Sequence, residues 1–169
     1  MAEAVSLAGV LDRFGSRVTL DETAADMPCL WVAPEELTEL CLFLRDDAGL
    51  QFNFLSDICG VDFHPEEPRF LLVYHLASIP NHWRLRLKCR LGDPPAAPTV
   101  TPVWTTANWH ERETYDMYGI HFDGHPDLRR LYMWDGFDGY PMRRDFPLRG
   151  YKDDMNPLGV ERTENGGGA

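Results

Sequence analysis

The residues best suited to chemistry are six histidines, four cysteines and a knot of acids at positions 111–116. His110, Glu111 and Glu113 stand close in sequence to His121 and His125, which is the raw material of a zinc site. The helical zinc motif His-Glu-x-x-His sets two imidazoles on one helix face, with a carboxylate beside them as general base. Position 114 is Thr, so that motif is broken, and His121 and His125 lie beyond Gly119 on sequence with no helical period. A free-standing metal hydrolase using His110, Glu113, His121 and His125 is the remote alternative that these residues leave. Glu113 and Asp116, three apart on one helix face, are the nearest approach to an acid–base pair. Arg112 and nearby arginines offer both acids structural ion pairs instead, and no nucleophile or substrate loop accompanies them.

The cysteines Cys29, Cys41, Cys59 and Cys89 contain no Cys-x-x-Cys, and each lies in or beside an apolar stretch. They read as reduced core residues. Neither glycine-rich nucleotide motif occurs, and there is no Gly-x-Ser-x-Gly nucleophile turn. The expectation is a chain with no catalytic, cofactor-binding or metal-ligating residues of its own.

The elements that would position these residues are legible in part. Residues 1–17 carry a weak helical pattern through Val5, Leu7, Leu11 and Phe14, and short strands are expected at Val18–Leu20 and Cys29–Val32. A helix is expected over Pro34–Ala48. Its first-turn proline and acids suit a helix start, and Leu37, Leu40, Cys41, Leu44 and Ala48 share one face. Gly49 is its expected left-handed stop. Strands follow at about Phe52–Val61, Phe70–Ala77 and Trp83–Leu91. In the last, Trp83, Leu85, Leu87, Cys89 and Leu91 alternate with Arg84, Arg86, Lys88 and Arg90, which requires one buried and one wet face. The four bases are either a solvated face protected from edge pairing or a cationic docking stripe.

Three prolines in Gly92–Pro98 break the chain, and Val100–Trp104 suits a short helical turn. Asn108 then stands as a possible cap, with Glu111 three residues on, for a helix from Trp109 to Tyr118 stopped by Gly119. From His121 to Gly150 no period is present, yet aromatics, glycines, prolines and arginines recur. So long an irregular run is unusual inside a compact domain, and its composition is that of interface hot spots. The expected plan is α+β: a small mixed or antiparallel sheet with helices packed on it, followed by an extended irregular C-terminal arm. The boundaries are a 1–118 domain, a 119–150 partner-binding arm and a 151–169 irregular or disordered tail.

The charge supports docking over nucleic-acid binding. The net charge is −11, and a nucleic-acid surface would be basic. Residues 1–80 hold 14 acids and 4 bases, whereas residues 81–169 hold 13 acids and 12 bases. Arginine supplies 14 of the 16 bases, and its planar fork suits pairing with carboxylates on an acidic protein partner or reflects a bias of composition. No run of 18 apolar residues crosses a membrane, and the short acidic N-terminus reads neither as a signal peptide nor as a presequence.

The segment Trp109–Arg130 resembles the signature of the 30-kDa subunit family of respiratory complex I, the NADH–quinone oxidoreductase. The pattern is filled by Glu111, Arg112, Glu113, Asp116, Met117, Tyr118, Gly119, Phe122, Gly124, His125, Pro126, Asp127, Leu128, Arg129 and Arg130. Weaker resemblance includes Ser56, Asp57, Val61, Asp62, the Tyr74–Leu76 strand and the run Pro141–Leu148 with Arg143 and Arg144. Gly139-Tyr140-Pro141 and Met133-Trp134-Asp135 depart from the usual Gly-His-Pro and Met-Pro-Asp. The resemblance implies a cofactor-free docking subunit of the hydrophilic arm that supports electron transfer to quinone coupled to proton translocation. Flavin and iron–sulfur clusters would then lie in neighbouring subunits. The implied partners are other complex I subunits, chiefly the one that forms the quinone pocket and the one that bears the adjoining cluster. The implied location is peripheral, on the cytoplasmic side of the bacterial inner membrane. An equivalent subunit of a ferredoxin-linked or hydrogenase-type complex is the alternative. Arg129, Arg130, Arg143 and Arg144 are expected to bond carboxylates within the arm or on the partner.

Overall fold

A computed structural model describes residues 7–161. In chain order the elements are α1 (Ala8–Phe14), β1 (Val18–Leu20), β2 (Cys29–Val32), α2 (Leu37–Asp46), β3 (Phe54–Asp62), β4 (Phe70–Ser78), β5 (Trp83–Leu91), β6 (Ala96–Pro98), α3 (Ala107–Tyr118) and β7 (His121–Asp123). The fold is α+β, as expected. Its main sheet has the order β1-β2-β5-β4-β3; only the β2–β5 pairing is parallel.

The alternation in β5 decides which face is buried. Leu85, Leu87, Cys89 and Leu91 point to one side, in register with Leu30 of β2 and with Phe70, Leu72, Tyr74 and Leu76 of β4. Leu37, Leu40, Cys41 and Leu44 of α2, with Val10 and Phe14 of α1, close over this face to form the core. Burying each such leucine stabilises the fold by about 1.5–3 kcal/mol. The other face carries Trp31, Arg86, Lys88, Arg90, His75, Asp57 and Cys59.

Several local expectations need correction. Gly49 does not stop α2. The helix ends at Asp46, the Asp47 carboxylate accepts the N–H groups of Gly49 and Leu50, and the left-handed step falls on Gln51. Asn108 lies inside α3 and caps nothing, and Glu111 turns inward instead of back to the helix start. The 1–118 boundary falls short of the fold. Gly119 turns the chain left-handed (φ 74°), and Ile120 and Phe122 return to the core while β7 pairs in parallel with β6. A strand of three residues is too short to show a period in sequence. The expected helix within residues 1–17 is α1, but Val5 lies outside the described residues. So does the tail beyond Glu161, where the sequence leads one to expect disorder.

Candidate docking surface

The signature residues converge on α3 and on the irregular chain that follows β7. Asp116 is fully buried and is met by four donors. Arg130 Nη1 donates to its Oδ1 at 2.8 Å, and the N–H groups of Leu131, Tyr132 and Met133 donate to its Oδ2 at 3.0, 2.7 and 3.0 Å. Burial pushes this carboxyl up, but the three backbone N–H groups and Arg130 outweigh it and hold the pKa below the ordinary range. Arg130 also donates to the carbonyls of Phe137 and Gly139 and lies over the rings of Phe137 and Tyr140. One carboxylate on the helix thereby latches residues 130–140 onto the body. A carboxylate so saturated is poorly placed to act as a general base.

A second latch lies at the end of β3. Arg69 forks onto buried Asp62 at 2.9 and 2.8 Å, and Asp62 also accepts the Arg144 N–H at 2.8 Å. Arg69 reaches Asp145 at 2.9 Å. Arg143 donates from Nε to the Tyr118 carbonyl at 2.6 Å and stacks over Phe70 and Tyr140. Between the two latches the chain orders itself through rings: Trp134 on Phe137, Phe137 on Phe146, and Phe146 on Tyr151.

Glu111 is the other buried acid of α3. Thr99 Oγ1 donates to it at 2.5 Å and Val100 N–H at 2.7 Å. No cation offsets its burial, which pushes the pKa up to about 7 against those two bonds. His125 accepts the Asp127 N–H on Nδ1, so its Nε2 carries the proton and donates to the Asn108 carbonyl at 3.2 Å. Arg112 donates to the Arg129 carbonyl and lies over Trp109. Phe122 is core, and Leu128 packs against it. Gly119 and Gly124 take left-handed turns, whereas Glu113, Pro126, Asp127 and Arg129 are exposed. Arg129 pairs with Asp127 at 3.0 Å.

The acid–base and hydrolase arrangements are not assembled. Asp116 pairs with Arg130, not with Arg112, and Glu113 faces outward. His110 faces Asp57, His121 faces Asp123 and His125 faces Asn108, so the four hydrolase residues share no site. Of the β5 bases, Arg86 pairs with Asp26, Lys88 with Asp21, and Arg90 lies over Trp31 and Phe63. The expected arginine–carboxylate bonds differ too: Arg130 binds a carboxylate of the body, and Arg144 contributes its backbone. Asp62, Arg69 and Asp145 form a latch that sequence reasoning did not find. Partners so far apart in the chain leave no local spacing to read.

No helix among the described residues is long and apolar enough to cross a membrane. What the latched segment displays is apolar: Tyr132 is 63%, Met142 55% and Trp134 41% exposed, and Leu148, Met155 and Leu158 are more open still. Clustered exposed apolar side chains mark interaction sites.

Residues 30–152 match the family described as respiratory-chain NADH dehydrogenase, 30 Kd subunit. A protein of Rhizobium etli (strain CIAT 652), named as a C-type subunit of NADH-quinone oxidoreductase, is 62% identical over 154 residues, covering 91% of this chain and 82% of its own length. Its namesake in Rhizobium meliloti (strain 1021) is 59% identical over 157 residues, covering 93% and 86%. Among solved structures, a chain of the membrane-bound sulfane sulfur reductase, an archaeal respiratory membrane complex, superposes with a TM-score of 0.70 at 22% identity, covering 83% of this chain and 82% of that one. At that identity the likeness is one of fold alone.

Proposed function

The chain belongs to the 30 Kd subunit family of the respiratory-chain NADH dehydrogenase, and from that premise we propose that it is a docking subunit of an NADH–quinone oxidoreductase with no redox centre of its own. Its work is to hold a shaped apolar surface against neighbouring subunits. The observation that carries this reading is the contrast within residues 124–161. Their body-facing polar groups are satisfied by Asp116, Asp62 and Arg69, while Tyr132, Met142 and Leu148 face outward. Such a segment is pre-organised, so association need not bear the cost of ordering it.

The implied partners are the quinone-pocket subunit and its cluster-bearing neighbour, on the cytoplasmic side of the membrane. Flavin and iron–sulfur clusters then belong to neighbours, and this chain contributes geometry to electron transfer. The high identity to proteins named as subunits of NADH-quinone oxidoreductase favours an NADH-linked complex over a ferredoxin- or hydrogenase-type one.

Affinity purification of the tagged full chain from its native membranes tests this. Recovery of a flavin-bearing NADH-oxidising subunit and cluster-bearing subunits in equal amounts is expected. Recovery of the chain alone, or with a nickel-site large subunit, overturns the reading.

A further inference from the structure

We infer that Asp57, Cys59 and His75, with His110 beside them, form a binding site for a borderline-soft divalent metal ion, zinc being the best fit. The three ligand atoms lie within 4.8 Å of one another on the sheet face opposite the core. They come from two neighbouring, paired strands. Asp57 stands directly across from His75, and Cys59 is two residues further along β3. Side chains two apart on a strand share a face, so this placement is fixed by rigid backbone.

A β-bulge makes the site. The β3–β4 register pairs Leu55 with Leu76 and then Asp57 with His75, leaving Ser56 as the extra residue. Without that insertion Asp57 and Cys59 would follow Leu55 into the core. With it, Ile58, Gly60 and Asp62 turn inward, and the carboxylate and thiol turn out. Bulges re-aim side chains in this way beside functional sites. The bulge also explains why Cys59 looks like a core residue in sequence and is half-buried in the structure.

From α3, His110 presents Nδ1 at 3.6 Å from Asp57 Oδ1, which brings a second imidazole to the cluster. One thiolate, one carboxylate and one or two imidazoles are the donors that zinc takes tetrahedrally. Bonds of about 2.0–2.3 Å place tetrahedral zinc ligands roughly 3.3–3.8 Å apart. The present spacing therefore requires only a small inward movement of half-exposed side chains.

Arg86 is the one group that opposes a cation, because its Nε donates to His75 Nε2 at 3.1 Å. Its charge is already met by Asp26, which it grips at 3.1 and 2.7 Å. His75 faces Asp57 with Nδ1, the atom left for the metal. Binding exchanges the Arg86–His75 bond for a metal–nitrogen bond and releases the Cys59 thiol proton to water. No oxidant or co-reactant is needed.

The test uses the purified full chain, titrated with cobalt(II) alone and then with zinc(II) against a chelating indicator. Expected are one ion per chain and a near-ultraviolet thiolate-to-cobalt charge-transfer band that zinc displaces. Cys59→Ser should abolish the band, and His75→Gln should weaken zinc binding by on the order of 100-fold. Circular dichroism identifies folded variants. Should one variant fail to fold, the other, with the cobalt spectrum of the unaltered chain, decides the matter. Absence of the band, its persistence in Cys59→Ser, or unchanged zinc affinity in folded His75→Gln overturns the inference.

Discussion

Glu111 and Asp116 show how two buried acids of one helix acquire opposite characters. Asp116 has a guanidinium and three backbone N–H groups and stays charged. Glu111 has a hydroxyl and one N–H, and its neighbour His125, at 3.9 Å, is held towards its neutral form by burial. Because the folded pKa of Glu111 is raised from 4.5 to about 7, the native state binds this proton more tightly than the unfolded chain does. The associated stability is present below about pH 4.5 and is lost as pH rises to about 7, by at most about 3 kcal/mol. Gln at 111 keeps an acceptor for Val100 and a donor for Thr99 but cannot ionise. Glu111→Gln should therefore flatten this fall, leaving the variant at least as stable as the parent at pH 8. Urea unfolding at pH 5 and pH 8 checks it. The His125 contribution runs the opposite way and is common to both proteins. Parallel pH slopes for the two would show that Glu111 does not carry the effect.

At the scale of elements, the arm is attached by few points, and Asp116 is the strongest of them. Breaking a buried ion pair costs about 3–5 kcal/mol. In Asp116→Asn the loss should fall on the arm, because the core packing of α1, α2 and the sheet is untouched. Limited proteolysis read by mass spectrometry should show new cuts within residues 131–150 and an intact body up to Asp123. An unchanged cutting pattern would mean that the second latch suffices. The elements differ in how far sequence foretold them. β5 was legible to the residue because its alternation spans nine positions, and α2 because its apolar face repeats over three turns. β7 and the bulge at Ser56 were not, since each is a local event shorter than any period. The arm's contacts were illegible for another reason. Arg144 meets Asp62 across 82 residues, and Asp116 reads as one more acid on a charged helix until Arg130 and three N–H groups fold back onto it. The resemblance to the family identified these residues as a group, but it did not say that they hold the arm to its own fold.

For the whole molecule, the uneven charge proves to be mostly an internal matter. Arg130, Arg69 and Arg86 meet acids of the same chain, and Arg143 is stacked between rings. What remains for a partner is chiefly apolar, so association should depend on area buried more than on ionic strength. Tyr132, Met142 and Leu148 are the side chains to remove, because they are exposed and lie outside both latches. The most direct measurement is the yield of the native complex recovered through a tagged chain carrying Tyr132→Ser, Met142→Ser and Leu148→Ser together. If each behaves as an ordinary hot spot of about 1 kcal/mol or more, recovery of partner subunits should fall at least about 10-fold while the chain stays folded. Undiminished recovery of the complete complex would contradict the claim that this latched apolar surface is where the chain docks.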